Sequence, residues 1–238
     1  MRPPATLTGL PVYALNLDRR PDRWQTLLMH MRSRGLPTPT RFPAIDGRAT
    51  STHEELVNYH REIPSGLGAR AACLGISKSF LGLLSLLLQD PPEWTLILED
   101  DVMFHADIHT RYAEFASLVP DDALVLLLGC THARTGDGPA ARGRLRSYPV
   151  DGTHRLVWRA GKVWCSHAFM ASREAIPMLH AVAAQLRTSF DVAWNDVHAL
   201  GRSYAPNPHL AIQRPGDRSD VANRKHTRPR RQYGPEVR

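Results

Sequence analysis

Short apolar runs and amphipathic stretches alternate along the chain, and this alternation is typical of an α/β protein. Strands are predicted where the apolar runs are brief, at residues 11–17, 41–47, 95–98, 123–128, 163–170 and within 204–213. Helices are predicted at residues 24–35, 71–88, 107–118, 173–187 and 190–200, with a polar surface helix at 51–62. Neither an internal repeat nor a second domain is visible, so we expect one domain.

The run at residues 95–98 predicts a buried central strand, and three acids follow it directly: Glu99, Asp100 and Asp101. In open α/β sheets, ligands bind at the carboxyl ends of the strands. Because side chains alternate along an extended chain, Glu99 and Asp101 should share one side and Asp100 should point to the other. A divalent cation would offset the repulsion between the acids. The cluster therefore predicts a metal and nucleotide site, the alternative being a solvated turn.

Two further segments offer side chains that suit a phosphate-bearing ligand. The first strand ends in Asn16 and is followed by Arg19 just before a helix start, which is a suitable cradle for an anion. Residues 66–70 form a glycine-containing loop that leads into the long apolar helix. Ser77 and Lys78 interrupt the first half of that helix, which indicates a role beyond packing.

The last part of the chain carries a second group of candidate residues. Residues 129–146 are rich in Gly, Arg and Thr without periodicity, which predicts a lid or a disordered insertion. Further on, Asp191, Asn195 and His198 recur at helical spacing and should share one helical face. Prolines interrupt the short terminal strand within residues 204–213.

The chain is basic, and its positive charge is concentrated in one segment. The 238-residue chain has a formal net charge of +7, and only three of its 30 cationic residues are lysines: Lys78, Lys162 and Lys225. Residues 224–231 hold much of this charge within a tail containing Pro and Gly, so we expect residues 222–238 to be a basic, disordered tail after a domain at residues 1–221. A solvated tail is favoured over binding to nucleic acid or acidic lipid.

Targeting signals and cysteine usage indicate a cytoplasmic protein. No stretch approaches the roughly 18 apolar residues of a membrane span, and no hydrophobic region follows the first residues as in a signal peptide. Cys73, Cys130 and Cys165 are widely spaced and odd in number, which fits reduced core thiols better than a disulfide framework or a zinc site.

Several motifs, in their order along the chain, resemble glycosyltransferase family 25, the lipopolysaccharide-biosynthesis and collagen-galactosyltransferase type. Residues 13–23 (YALNLDRRPDR) are similar to its opening motif, and residues 96–102 (LILEDDV) to its acidic run of the DxD type. Weaker matches follow at residues 41–47, 73–78, 166–169, 190–191 and 208–213. The chain departs from the family at Lys78, where His is usual, and at Ala71-Ala72, which replace a Gly before Cys73.

The resemblance implies a single-domain, GT-A-type (Rossmann-like) fold with a mixed central sheet. It also implies an inverting, Mn²⁺- or Mg²⁺-dependent transfer of a hexose, galactose or glucose, from a UDP-sugar. The acceptor would be a hydroxyl of a glycan, a protein or another molecule, and peripheral membrane contact stays open. Matched onto this sequence, the nucleotide-sugar site comprises Asn16, Arg19, Arg23, Asp46, Gly47, Ser77, Lys78, Glu99, Asp100 and Gln213.

The expected metal ligands are Asp101 and Glu99, with His198 or His209 completing the shell. An inverting transfer needs a base across the sugar from the diphosphate, and Asp191 matches the family's acid on that side. Two alternatives remain: Asp191 caps a helix beginning near Val192, or Asp196 or His198 is the base.

Two other classes of function compete with glycosyl transfer. A glycosyltransferase-like protein that binds or modifies nucleic acid would use the basic tail, but the intact acid cluster argues against it. A metal-dependent nucleotidyltransferase or phosphohydrolase would use similar acids, but the sequence has no P-loop and no HxH or HD-type metal cluster.

Overall fold

The computed structural model describes residues 1–59, 66–129, 145–146, 158–160, 163, 165–206 and 209–215. The strands are β1 Val12–Leu17, β2 Thr40–Ala44, β3 Trp94–Glu99, β4 Val102–Phe104, β5 Val125–Leu127, β6 Leu145–Arg146, β7 Trp158–Ala160, β8 Ala168–Ser172, β9 Ser203–Ala205 and β10 Ala211–Gln213. The helices are α1 Pro21–Ser33, α2 Gly47–Thr50, α3 His53–Asn58, α4 Leu67–Leu87, α5 Ile108–Leu118, α6 Ala175–Ala184, α7 Phe190–Ala193 and α8 Asn195–His198.

The main sheet has the strand order β2-β1-β3-β8-β5-β9-β7-β6, and β10 pairs with β4 in a separate ribbon. Strands β2, β1 and β3 are parallel, whereas β8 runs antiparallel between β3 and β5. The main sheet is therefore mixed, and it is compatible with a Rossmann-like arrangement. The predicted α/β class with a mixed central sheet is confirmed.

Both faces of the sheet are covered, and the alternation of side chains along β3 shows how. Leu96 and Leu98 are fully buried and join one core cluster, with side chains from α1 and α5. Ile97 points the other way, into a second cluster with side chains from α4 and α6. Because β3 faces a helical layer on each side, its sequence is a continuous apolar run rather than an alternation of apolar and polar residues.

Helix α4 corrects the expectation that no stretch is long enough to span a membrane. By length and composition its 21 residues meet that criterion, with half of the most apolar stretch buried inside the protein. Phe80, Leu83 and Leu84 belong to the second core cluster and are inaccessible to solvent. Because the core helix of a soluble protein passes the same test, the length of α4 is weak support for a membrane span.

Three predicted elements differ from the observed ones. The strand expected at residues 163–170 begins only at Ala168, because the backbone of Val163 is held by the Asn195 side chain, through its N–H at 2.6 Å and its carbonyl at 3.0 Å. The helix expected at residues 190–200 is split into α7 and α8. The turn expected at Asp46-Gly47 is the start of α2, where the Asp46 carboxylate accepts a bond from the Arg48 N–H at 3.1 Å.

The cysteines do not follow the expectation of three reduced thiols. Cys73 is a half-buried free thiol, but Cys165 is disulfide-bonded. Cys130 lies outside the described residues. A cytoplasmic location is therefore no longer supported by cysteine usage, and it stays a prediction. The expected lid or insertion at residues 129–146 and the basic tail at 222–238 lie mostly or wholly outside the described residues.

Three histidines have a lowered pKa in the fold, which makes the protein sensitive to acid. Burial lowers the pKa of His30 and of His209 to about 4, and that of His198 to about 3. The Nε2 atom of neutral His30 accepts a bond from the Phe104 N–H at 2.7 Å. Unfolded histidine titrates near pH 6.5, so between about pH 6.5 and 4 these three positions bind more protons in the unfolded chain than in the folded one.

We expect these histidines to lower the free energy of unfolding as the pH decreases through this window, by about 1.4 kcal/mol per pH unit for each proton that they bind in excess in the unfolded state. Glu99, whose pKa is raised to about 8 in the fold, acts in the opposite direction, so the test compares the slopes of variants. His30→Gln keeps an acceptor for the Phe104 N–H and removes one titrating group, so its pH slope should be shallower. His53→Gln, at an exposed position, is the control. Urea unfolding followed by tryptophan fluorescence measures the slopes, and equal slopes for His30→Gln and wild type would contradict this account.

Candidate functional site

The candidate site lies where the parallel strands β1, β2 and β3 end. Strand β8 runs in the opposite direction, so the residues before it reach the same edge. The register fixes this meeting, because Leu98 is opposite Ala168 and the Glu99 N–H donates to the His167 carbonyl at 3.0 Å. The acid cluster, the opening motif and the approach to β8 therefore meet at one edge of the sheet.

Asp100 is held by the opening motif. Its two carboxylate oxygens accept bonds from Asn16 Nδ2 at 2.7 Å and from an Arg23 terminal nitrogen at 2.8 Å. The side chains of Arg23 and Asp100 are only 7% and 9% exposed, so this is a buried ion pair. Burial acts to lower the pKa of Arg23, but the charges of Asp100 and Asp101 raise it overall. The structure brings Asn16, Arg23 and Asp100 together, and they bind one another.

Glu99 and Asp101 have different surroundings from Asp100. Glu99 Oε1 accepts a bond from the Ser166 hydroxyl at 2.8 Å, and within the described part of the chain Glu99 forms no ion pair. Asp101 Oδ2 is 3.5 Å from the Gln213 amide and 3.7 Å from Arg23. The Asp101 carbonyl also accepts the Arg214 N–H at 2.6 Å, which ties this turn to β10.

The electrostatics set Glu99 apart. Burial raises the pKa of Glu99 to about 8, with further contributions from the carboxylates of Asp101, Asp191 and Asp100. Burial also raises the pKa of Asp100, although Arg23 and Asn16 act in the opposite direction. Glu99 therefore favours its protonated, neutral form at pH 7, whereas the Asp100 carboxylate is paired with Arg23.

Asp191 lies within electrostatic reach of Glu99. Its charge contributes to the raised pKa of Glu99, and also to those of Cys73 and Tyr59 on the neighbouring helical segments. Ser189 is the N-cap residue of α7, and Asp191 is in the first turn. Asp191 therefore does not cap a helix beginning at Val192, and that alternative is wrong.

Arginine–carboxylate pairs line the ends of β1 and β2. Arg19 donates to Asp46 at 2.6 Å, and both side chains are partly exposed. Burial acts to raise the pKa of Asp46, but the bond from Arg19 lowers it overall. Arg41 donates to Asn16 Oδ1 at 2.8 Å and to Asp18 at 2.6 Å. These exposed pairs are weak, and each arginine can exchange its partner for a phosphate at little cost.

Gly47 and Gly75 allow the backbones of α2 and α4 to approach closely. A Cβ atom on Gly47 would overlap the Ala71 carbonyl oxygen, and one on Gly75 would overlap the backbone of Ile45 and Gly47. Gly47 was predicted to bind the nucleotide, and the structure gives it this packing role, which places Asp46 at the edge of the sheet.

Gly47→Ala should lower the free energy of unfolding by about 1–3 kcal/mol, because the added methyl group forces α2 away from the α4 backbone. Gly68→Ala is the matched control, since a Cβ there meets nothing within 4 Å and the position is helical. This control should be neutral or stabilising by up to about 1 kcal/mol. Chemical denaturation of both variants compares them, and equal stabilities would contradict the close approach.

The contacts of Lys78 and Ser77 lie away from the cluster of Glu99, Asp100 and Asp101. The Lys78 ammonium donates to Glu55 at 2.6 Å, and the other Glu55 oxygen accepts from the Thr52 N–H at 2.9 Å as part of a capping box. Ser77 bonds to Tyr59 and to the Thr188 carbonyl. Their predicted contact with the nucleotide stays a prediction, and the structure shows them joining α4 to α3 and to the start of α7.

His198 packs in the core beside Trp194, with ring centroids 4.6 Å apart, and its Nδ1 is 2.8 Å from the Ser203 hydroxyl. Among the described residues, no three His, Cys, Asp or Glu side chains form a group that could hold a metal ion. The structure therefore does not join His198 to Glu99 and Asp101. His209 is also buried, and the charge of His167 contributes to its lowered pKa.

Two contacts of the site were not predicted from the sequence: the hydrogen bond from Ser166 to Glu99 and the hydrogen bond from Arg41 to Asn16. Ser166 and Arg41 both lie in segments that the motif comparison had marked, but their contacts depend on strand pairing. Ser166 reaches Glu99 only because β8 is antiparallel to β3. No signal within the local sequence gives that direction.

Comparison of the chain with protein-family models and with curated proteins finds no match. The resemblance to glycosyltransferase family 25 therefore rests on the motifs alone. Any function must be argued from the site itself.

Proposed function

We propose that the protein is a metal-dependent, inverting glycosyltransferase of the GT-A type that moves a hexose, galactose or glucose, from a UDP-sugar to a hydroxyl acceptor. The observation that carries this proposal is the arrangement of Glu99 and Asp101 at the carboxyl edge of the sheet with Asp191 nearby. This arrangement supplies two acids for a cation–diphosphate unit and a third for the acceptor.

The acid pair fits a divalent cation. Mg²⁺ and similar hard cations are commonly held by one or two carboxylates, with substrate phosphates and water completing the shell. Glu99 and Asp101 match that pattern without a third protein ligand. Their burial and mutual repulsion, which raise the pKa of Glu99 to about 8, would be relieved by such an ion. When bound, the cation would supply Lewis-acid stabilisation of the leaving diphosphate.

The other edge residues fit the nucleotide. Asn16, Arg23 and Asp100 fix the acidic turn and bind one another, so their role is to orient Asp101. Arg19 and Arg41 lie in partly exposed pairs at the ends of β1 and β2, where a phosphate or a ribose hydroxyl of the donor would exchange with their carboxylate partners.

Asp191 is the proposed general base. As the acceptor oxygen forms its bond to the anomeric carbon, the bond from that carbon to the diphosphate oxygen breaks. The acceptor proton passes to the Asp191 carboxylate and then to solvent, so that the products are the glycoside and UDP. The Asp191 charge acts on Glu99, which supports placing the base and the diphosphate site in one active centre.

The deciding experiment measures the release of nucleoside diphosphate from UDP-galactose and UDP-glucose, with Mn²⁺ and with chelator. ADP-glucose and GDP-mannose serve as comparison donors. We expect release from a UDP-sugar only with the metal ion. Release that is unaffected by chelation, or absent for every UDP-sugar with metal and a panel of hydroxyl acceptors, would refute the proposal.

Asp101→Asn should weaken Mn²⁺-dependent UDP binding tenfold or more, on the order expected when a ligand to a metal–phosphate unit is lost. Isothermal titration calorimetry measures the affinity. Asp107→Asn is the control, because Asp107 is an exposed acid a few residues further along the chain. Equal affinities for Asp101→Asn and wild type would remove Asp101 from the site.

A further inference from the structure

Ser77 connects three elements through one buried hydroxyl. Its side chain on α4 is 1% exposed, and its Oγ is 3.0 Å from the Tyr59 hydroxyl and 3.4 Å from the Thr188 carbonyl oxygen. A carbonyl only accepts, and a serine hydroxyl has a single proton. Ser77 therefore donates to Thr188 and accepts from Tyr59, which gives a chain of bonds with one direction.

This chain ends at the segment that carries Asp191. Thr188 directly precedes Ser189, the N-cap of α7, and Asp191 is the second residue of that helix. A helix of four residues has little stability of its own, so tertiary contacts fix its position. On its core side, the Phe190 ring stacks on Phe80 with centroids 4.1 Å apart. The Ser77 bond holds the same end of the helix, at the residue just before the N-cap.

Two neighbours of Ser77 lie within electrostatic reach of Asp191. Cys73 lies one helical turn before Ser77, and burial raises its pKa to about 11 with a contribution from the Asp191 charge. The Asp191 charge also contributes to the raised pKa of Tyr59, for which burial is the main cause. Tyr59, Ser77 and Cys73 therefore lie close to the segment that carries Asp191.

We infer that Tyr59 and Ser77 are positioning residues, which hold the start of α7 so that the Asp191 carboxylate faces the Glu99–Asp101 pair. The inference rests on the proposed function, because it gives Asp191 the role of the base. It replaces the predicted donor-binding role of Ser77 with an effect on the acceptor side of the reaction.

Ser77→Ala removes both bonds, and Tyr59→Phe removes only the outer one. A base displaced by a fraction of an ångström loses rate while the donor site is untouched, so we expect kcat to fall about ten- to hundredfold in Ser77→Ala and less in Tyr59→Phe. The KM for the UDP-sugar should stay within about twofold of wild type, because only the step that needs the base is affected.

Ser79→Ala is the matched control. Ser79 lies on the same helix, is fully buried and bonds to the Ile45 N–H at 2.8 Å and the Gly75 carbonyl at 2.7 Å. Its loss should cost similar stability, read as the thermal unfolding midpoint, while kcat stays within about twofold. Should Ser77→Ala fail to fold, Tyr59→Phe decides, because it keeps the buried ring.

A second measurement separates positioning from general loosening. In an Asp191→Asn background, Ser77→Ala should change kcat by less than about twofold, because a residue that acts through Asp191 has no further effect once the carboxylate is gone. Unchanged kcat in Ser77→Ala and Tyr59→Phe, or a full additional loss in the Asp191→Asn background, would overturn the inference while UDP release by wild type still stands. Absence of UDP release by wild type would overturn both proposals.

Discussion

Arg23→Met is expected to lower the free energy of unfolding by about 3–5 kcal/mol, the usual effect of removing one partner of a buried ion pair. The Asp100 side chain is 9% exposed and has Asn16 as its other hydrogen-bond donor, so the variant leaves a buried carboxylate with one neutral partner. Asp101, 3.7 Å from Arg23, loses the same cation. The cost is large because solvent cannot replace the guanidinium in this position.

The neighbouring Arg20 provides the control. It binds Asp22 at 2.8 Å, but the Asp22 side chain is 65% exposed, so Arg20→Met should cost less than about 1 kcal/mol. Adding Asp100→Asn to Arg23→Met should recover part of the loss, because one uncompensated charge is removed. Urea denaturation monitored by tryptophan fluorescence measures all three. A loss below 1 kcal/mol for Arg23→Met would mean that Asp100 reaches solvent or another cation.

The sequence predicted most of the elements because their local patterns agree with their tertiary surroundings. Residues 95–98 are apolar without a polar face, and the strand they form has helices on both sides. The same holds for α1, whose proline stands at the first helical positions and whose apolar spacing matches its buried face. In these segments burial and periodicity give the same answer.

Prediction failed where long-range contacts decide. The helix expected at residues 190–200 is split, and the Asn195 side chain is bound to the carbonyls of Asp191 and Val192 within it as well as to Val163. The direction of β8 was likewise invisible, since an apolar run has the same composition in a parallel or an antiparallel strand. The Ser166–Glu99 contact depends on that direction.

The same limit applies to the acid cluster. Alternation along an extended chain separates Asp100 from its neighbours, and the structure directs Asp100 to Asn16 and Arg23 while Glu99 binds Ser166. The acidic motif alone assigns all three acids to the metal and nucleotide site. The fold distinguishes them, because Arg23 comes from α1, 77 positions away along the chain. Which acid is neutralised by the protein is therefore a property of the packing of α1 on the sheet.

Asp191→Asn should reduce the turnover of sugar transfer by about a hundredfold or more, with the affinity for UDP and Mn²⁺ within a fewfold of wild type. The change keeps the size of the side chain and removes its basicity. Since Ser189 is the N-cap of α7, the loss of a capping carboxylate cannot explain a fall in rate. Removal of one negative charge near Glu99 should weaken the binding of a cation slightly. This effect would change the KM for the donor and is separate from the loss of the base.

Asp196→Asn discriminates between the candidate bases, because Asp196 follows in the first turn of α8 and is exposed. Steady-state transfer to a hydroxyl acceptor gives kcat, and calorimetry gives the affinity for UDP. Near-normal turnover in Asp191→Asn together with a large loss in Asp196→Asn would move the base to Asp196. If Asp191→Asn lost UDP affinity and turnover equally, Asp191 would belong to the diphosphate site, because a residue that acts only as the base changes the rate of the proton transfer and not the binding of the donor.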